Sequence, residues 1–314
     1  MEHELIINVV QVLRKTSDEV SAISSSHRKY SFNVVAKNVK GKNLVLSVTA
    51  DVDRVSKRAV KDLVVLSYTT KSVPLIVSNK CKGKELAEGV VYKRFGIYTI
   101  NFETFKDMLE EEKYPQFYSE KGGIYVRIKG RVLRQLREKY NLSLGEVARS
   151  IGLTRKAIYE YERDSMDASA AVAQKLIELF GEEIIEEINP MEWNISKEEL
   201  HRLIDENREI SKLSKSVREV FPEDDYELYE LYRCPFDAVA HSKHENIFLK
   251  VIYSREGRRI QRGDISEVTV IGEVARVLDA KLAFLVPDRN TYELVRDAIP
   301  SDVECEILTS SEKR

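Results

Sequence analysis

Between residues 130 and 163, GRVLRQLREKYNLSLGEVARSIGLTRKAIYEYER, apolar residues return every three or four positions in three short runs. That is the spacing of helices that each bury one stripe. Leu133 and Leu136 form the stripe of the first, Val147, Ala148 and Ile151 that of the second, and Ile158 and Tyr161 that of the third. Local signals mark the ends. Ser143 with Glu146 makes a capping box, Gly152 suits a left-handed turn, and Thr154 caps the third helix. Leu153 plugs the core, and Ala148 is small enough for the second and third helices to cross closely. Arg155, Lys156, Tyr159, Glu160 and Arg163 are left outside, near or along one polar face. The helical pattern continues over Ala168–Phe180, with Val172, Leu176 and Leu179 facing inward, and over Glu182–Ile188, stopped by Asn189-Pro190. The whole predicts a five-helix bundle.

The flanks mix helical runs with β-branched ones. A first amphipathic helix carries Leu5, Ile6, Val9, Val10 and Leu13 on one side. Phe32–Ala36 and Leu44–Val48 then bracket a Lys/Gly/Asn turn and predict a hairpin. A basic loop with Arg54, Lys57 and Arg58 follows, then a helix over 55–70, a strand over Leu75–Ser78, strands over 89–94 and 97–102, and a helix over 102–112. The other end repeats the order. Strands Phe236–Ala240 and Asn246–Ile252 precede a basic loop, and then come a helix (264–278), a strand (Leu282–Val286), a helix (290–298) and a strand (Val303–Leu308). Phe32 aligns with Phe236, Ala36 with Ala240, Leu46 with Leu249 and Val48 with Val251. Both flanks therefore read as α/β layers. Ser196 with Glu199 caps a connector helix running to about Asn207, and a second connector helix is expected over Ser211–Phe221. The expected divisions are an α/β domain at 1–118, a helical domain at 119–190, a connector at 191–221 and a second α/β domain at 222–314.

Charge sharpens this picture. The 314-residue chain has a net charge of −2, yet residues 127–164 hold ten Lys/Arg against five acids. A local basic patch in a near-neutral protein is a footprint for phosphate. Cys81, Cys234 and Cys305 stand far apart, which suits a reducing compartment and argues against a disulfide scaffold or zinc ribbon. His241 and His244 fit a solvated turn. Glu2 and Glu4 before the first apolar run have the wrong sign for a signal peptide, and no apolar run is long enough to span a membrane, so a cytoplasmic protein is expected.

The central run resembles the Cro/repressor-type helix-turn-helix family. Leu142, Ser143, Val147, Ala148, Ile151, Gly152, Thr154, Arg155, Ile158, Tyr161 and Glu162 match its pattern. Where the family commonly has a Gln that touches phosphate, this chain has Leu144, and that contact is not carried over. The resemblance implies that the third helix enters the major groove of double-stranded DNA. Arg155, Lys156 and Tyr159 are then the expected base readers. Thr154, Arg149 and Arg163 would meet the DNA backbone, capping being the main role for Thr154. One monomer reads too few bases to select a genomic site, so a symmetric homodimer on a palindrome is expected, with the α/β domains as the candidate dimer surface.

The flanks resemble the restriction-endonuclease-like fold, whose active members carry an Asp on one strand and Glu-x-Lys on the next. Here the first copy has Asn33 and Ser47-Val48-Thr49, and the second has Asp237 and Lys250-Val251-Ile252. Neither copy keeps two carboxylates and the Lys, so no catalytic residue, metal or cofactor is expected, and the chain is not expected to be an enzyme. Arg258, Arg259 and Arg262 are either a solvated loop or accessory phosphate contacts. The whole chain is similar to a family of archaeal transcriptional regulators with a central Cro/repressor-type motif. The resemblance identifies no effector molecule. Two other readings compete with a sequence-specific regulator. One is a nuclease guided by its helix-turn-helix, and the other is a transcription co-activator or adaptor that binds DNA weakly and without sequence preference.

Overall fold

The computed structural model describes residues 2–23, 30–120, 123–203, 220–222, 224–252 and 262–309. The chain forms two compact units, Met1–Ile76 with Met191–Arg314, and Val77–Pro190. The first unit begins with α1 (Glu2–Thr16), β1 (Glu19–Ala22), β2 (Val34–Val39), β3 (Lys42–Val48), α2 (Lys57–Thr70) and β4 (Val73–Val77). β1 was not expected; it pairs antiparallel with β2, which pairs antiparallel with β3, and β4 lies beside β3. α1 buries Leu5, Val9, Val12 and Leu13. Ser56 caps α2, accepting from the Ala59 N–H.

The second unit follows with β5 (Lys80–Cys81), β6 (Lys84–Glu85), β7 (Val90–Arg94), β8 (Ile97–Ile100), α3 (Phe102–Glu110), β9 (Phe117–Glu120), β10 (Gly123–Val126), α4 (Gly130–Lys139), α5 (Leu144–Ile151), α6 (Arg155–Glu162), β11 (Ala168–Ser169) and α7 (Ala170–Phe180). Its sheet runs β8-β7-β9-β10-β11. β7 pairs parallel with β9, Val90 opposite Phe117, which joins residues 77–118 to the helices in one compact unit.

Two expectations need correction here. The fifth helix is absent: Glu182–Ile184 is a single 3₁₀ turn, and Ile185 bridges to Ile128. Ile184 and Ile185 are both buried. The backbone there is also committed elsewhere, Lys129 donating to Ile184 and Glu186 to Arg127. The buried stripe of α7 is Ala173, Leu176 and Phe180, while Leu179 is exposed. Ala168 and Ser169 pair with β10 instead of starting the helix, which rotates the face that α7 turns inward.

The chain then returns to the first unit with α8 (Lys197–Leu203), β12 (Glu227–Glu230), β13 (Ala238–His241), β14 (Asn246–Val251), α9 (Arg262–Val277), β15 (Lys281–Val286), α10 (Arg289–Ala298) and β16 (Cys305–Thr309). The expected second connector helix, Ser211–Phe221, falls almost wholly outside the described residues. The five strands lie in chain order, the first two junctions antiparallel and the last two parallel.

The expected internal repeat is visible in register. Val34 stands opposite Leu46 as Ala238 stands opposite Leu249. The Asn33 N–H donates to Leu46 at 3.0 Å, and the Asp237 N–H donates to Leu249 at 2.7 Å. Asn33 Oδ1 accepts from the Val48 N–H, and Asp237 Oδ2 accepts from the Val251 N–H, each at 2.8 Å. The two copies also exchange helices. α2 packs on its own β3 and on β13 of the second copy, while α9 packs on its own β15 and on β1 and β2 of the first. Both helices carry contacts to the opposite copy. Tyr68 meets Tyr229 edge-on, and Glu273 accepts from Ser21, on matching strands of the opposite copies.

Candidate nucleic-acid interface

The helices α4, α5 and α6 form where the local signals placed them. Ser143 accepts from the Glu146 N–H at 3.2 Å, and the Glu146 carboxylate accepts from the Ser143 N–H at 2.8 Å. That backbone hydrogen bond holds the Glu146 carboxyl below its ordinary range. Gly152 closes α5 at φ 75°, a conformation that glycine adopts without a Cβ penalty. The Lys175 ammonium donates to the Ile151 carbonyl at 2.9 Å and satisfies the end of the same helix. Leu133, Leu136, Val147, Ala148, Ile151, Ile158 and Tyr161 are all buried in one core, with Val126 and Ile128 from beside the β9–β10 hairpin.

What fixes α6 is a pair of residues that the apolar pattern did not single out. Arg137 on α4 and Glu162 at the end of α6 form a two-pronged ion pair, Nε to Oε1 at 2.5 Å and Nη2 to Oε2 at 3.0 Å. Their side chains are only 12% and 6% exposed. Arg137 also donates to the Leu142 carbonyl at 2.9 Å, so one guanidinium ties both the joint between α4 and α5 and the far end of α6. The bond to Glu162 is the main cause of the raised Arg137 pKa. Gly130 packs against the same place. A Cβ there would lie 2.4 Å from the Tyr161 carbonyl, and its N–H donates to Asp164 at 2.7 Å. The sequence holds one clue to this bond: Arg137 directly follows the buried Leu136.

The expected contact residues of the helix-turn-helix are all exposed. Thr154 accepts from the Ala157 N–H at 3.2 Å, so its oxygen serves as the cap of α6. Arg155 and Lys156 begin α6 and have no ion-pair or hydrogen-bond partner among the described residues. Tyr159 lies one turn after Arg155. Its hydroxyl accepts from Arg163 at 2.7 Å, and the Arg163 guanidinium sits 5.4 Å from the ring centre. Arg163 is therefore held against Tyr159 as one unit. Arg149 is exposed in the last turn of α5. Arg258 and Arg259 lie outside the described residues, and Arg262 opens α9.

The nuclease-like places carry structure. Asn33 both accepts from the Val48 N–H and donates to its carbonyl at 2.7 Å, clamping the end of β3. Asp237 clamps Val251 in the same way, with the Lys250 ammonium 3.4 Å from its other oxygen and 3.9 Å from Glu267. His241 is half-buried at the end of β13, its Nδ1 2.7 Å from Asn246, so it belongs to the strand end and not to a solvated turn. No helix among the described residues is long and apolar enough to cross a membrane.

Comparison with known proteins bears on both regions. A model of the PD-(D/E)XK superfamily domain matches residues 2–115, and a helix-turn-helix model matches residues 133–186. The chain is 30% identical over 298 residues to a protein of Thermococcus gammatolerans, covering 95% of this chain and 90% of that one. It is 30% identical to one of Thermococcus kodakarensis, covering 99% and 94%, and 28% identical to one of Archaeoglobus fulgidus, covering 90% and 86%. Each carries the name "Putative HTH-type transcriptional regulatory protein". No solved structure matches the chain.

Proposed function

The chain belongs to an archaeal family of helix-turn-helix-type transcriptional regulatory proteins, and from that premise we propose that it is a sequence-specific DNA-binding regulator that reads duplex DNA with α6. The observation that carries this reading is the contrast on α6 between Glu162, locked into the protein by Arg137, and Arg155 and Lys156, exposed without a partner among the described residues. An anchored helix offering cations at its first turn is what major-groove docking needs. Arg155 and Lys156 read base edges, and Tyr159, steadied by Arg163, reaches a base or a thymine methyl. Arg149 and Arg163 meet phosphate, and Thr154 keeps α6 capped. Two chains bind a palindrome as a homodimer, in the cytoplasm where the DNA lies.

Arg155→Ala is expected to relax base preference at one position, at about 1–3 kcal/mol of discrimination. Arg149→Ala should weaken all sequences alike, and both are read by titrating duplexes of varied sequence. Duplex binding that neither change alters would overturn the docking. Steep salt dependence with no sequence preference would favour the adaptor reading instead.

The match to a PD-(D/E)XK domain gives the nuclease reading a specific footing. We nevertheless assign no catalysis, because Asn33 is an amide and not a carboxylate, and one oxygen of Asp237 clamps a strand end while the other faces Lys250. Mg²⁺-dependent nicking of plasmid that stops in Asp237→Asn would overturn this. That variant keeps the clamp, since an amide already makes it in the first copy.

A further inference from the structure

A cationic cluster that the helix-turn-helix does not use stands where the two α/β copies meet. Asp62 on α2 is buried, and its carboxylate accepts from the Tyr232 and Arg233 N–H groups at 2.9 Å each and from the Ser31 hydroxyl at 2.5 Å. These bonds pin the loop before β13 from inside and leave its side chains outside. Tyr232 is 54% exposed and Arg233 is exposed beside it. One turn earlier on α2, Arg58 places its guanidinium 4.8 Å from the centre of the Tyr232 ring, and that of Arg233 lies 5.4 Å from the same ring. Lys57 is exposed next to Arg58. Among the described residues neither guanidinium pairs with a carboxylate. The Tyr232 hydroxyl pKa is lowered, chiefly by its hydrogen bond with Arg58.

Holding two like charges around one ring, with no carboxylate paired to either guanidinium among the described residues, costs electrostatic energy and side-chain freedom. Fixed guanidinium forks recover that cost when they meet phosphate oxygens, which they grip in two-pronged geometry. With two guanidinium groups over it, the ring serves as their mount and not as a stacking platform for a base. A duplex backbone, which presents phosphates and hides base faces, is the matching partner.

We propose that Arg58 and Arg233, steadied by Tyr232 and aided by Lys57, form a second DNA contact that grips the phosphate backbone without reading sequence. This rests on the regulator reading above and adds to it a task for the α/β copies. The test uses the full chain and a duplex of about 60 bp, measuring log affinity against log salt. Each lost phosphate contact should flatten that line by about 0.9. The double variant Arg58→Ala/Arg233→Ala is expected to flatten the slope by about 2 while leaving base preference unchanged. Arg58→Lys/Arg233→Lys, which keeps the charges, is expected to retain a slope near the parent's. An unchanged slope in the alanine variant would overturn the proposal. So would an equal loss in the lysine variant, since the effect would then not come from charge. A parent chain that binds no duplex at all would sink the regulator reading along with this one. A parent that binds and loses sequence preference in Arg155→Ala, but keeps its slope in the double alanine variant, would sink this one alone. Thermal unfolding of each variant checks that the fold is kept.

Discussion

The two α/β copies solve one problem with different chemistry. In the first, the neutral Asn33 clamps the end of β3 by giving and taking a hydrogen bond with Val48. In the second, Asp237 makes the equivalent bond to Val251 and leaves its other oxygen to Lys250. An amide supplies both donor and acceptor and brings no charge to be neutralised, while a carboxylate needs a cation nearby. The difference teaches that the clamp, not the charge, is what the fold requires at this position. The helices differ in the same sense. Asp62 on α2 is buried and holds three groups, whereas Glu267 on α9 is partly exposed, accepts from the Tyr30 hydroxyl at 3.1 Å and stands near Lys250.

The comparison can be broken most sharply at Asp62. Asp62→Ala would strand two backbone N–H groups and a buried hydroxyl, and is expected to cost about 3 kcal/mol or more. Glu267→Ala should cost about 1 kcal/mol or less, its interactions lying nearer water. Urea unfolding of the two variants side by side checks the asymmetry, and equal losses would break it. Next in size, Asn33→Ala is expected to lose about 2 kcal/mol, because Val48 is buried and would keep an unpaired N–H and carbonyl. Asp237→Asn should change stability by no more than about 1 kcal/mol, since the amide works in the sister copy. The smallest effect concerns Glu245, which meets Tyr226 and Lys281 in the second copy. The Tyr226 hydrogen bond is the leading cause of its lowered pKa. A lowered folded-state pKa stabilises the protein above the ordinary carboxylate range, and that contribution is lost as pH falls through the folded value. Glu245→Gln should therefore flatten the acid side of the stability profile slightly, losing that small contribution at neutral pH and leaving stability below the carboxylate range almost unchanged.

The helix-turn-helix was legible because its signals are local. Ser143, Glu146, Gly152 and Thr154 each act within a few residues of themselves, and the buried stripes of α5 and α6 follow from spacing alone. The repeat was legible for a related reason: a strand–strand–helix–strand order and a handful of matched apolar residues survive in the sequence. Less legible was whatever depended on a distant partner. β1 and β12 have no strong alternation of their own and exist as edges laid against β2 and β13. Ile184 and Ile185 look helical in isolation, but Ile184 ends a 3₁₀ turn and Ile185 is extended beside residues 127–129, where their backbone groups find partners. α7 turns Phe180 and not Leu179 inward, because pairing of Ala168 and Ser169 sets where that helix starts.

By itself, then, the order of residues determined which segments become the helices of the helix-turn-helix, where those helices begin and end, and that two α/β runs share one plan. Hydrogen bonds and apolar contacts between near neighbours decide such things, and near neighbours are visible in a string of letters. Folding in three dimensions decided that Arg137 locks Glu162, that each copy lends its helix to the other, and that Asp62 aims Tyr232 and Arg233 outward. Those outcomes join residues from 25 to 171 positions apart, and no local pattern specifies which distant acceptor a buried donor will find.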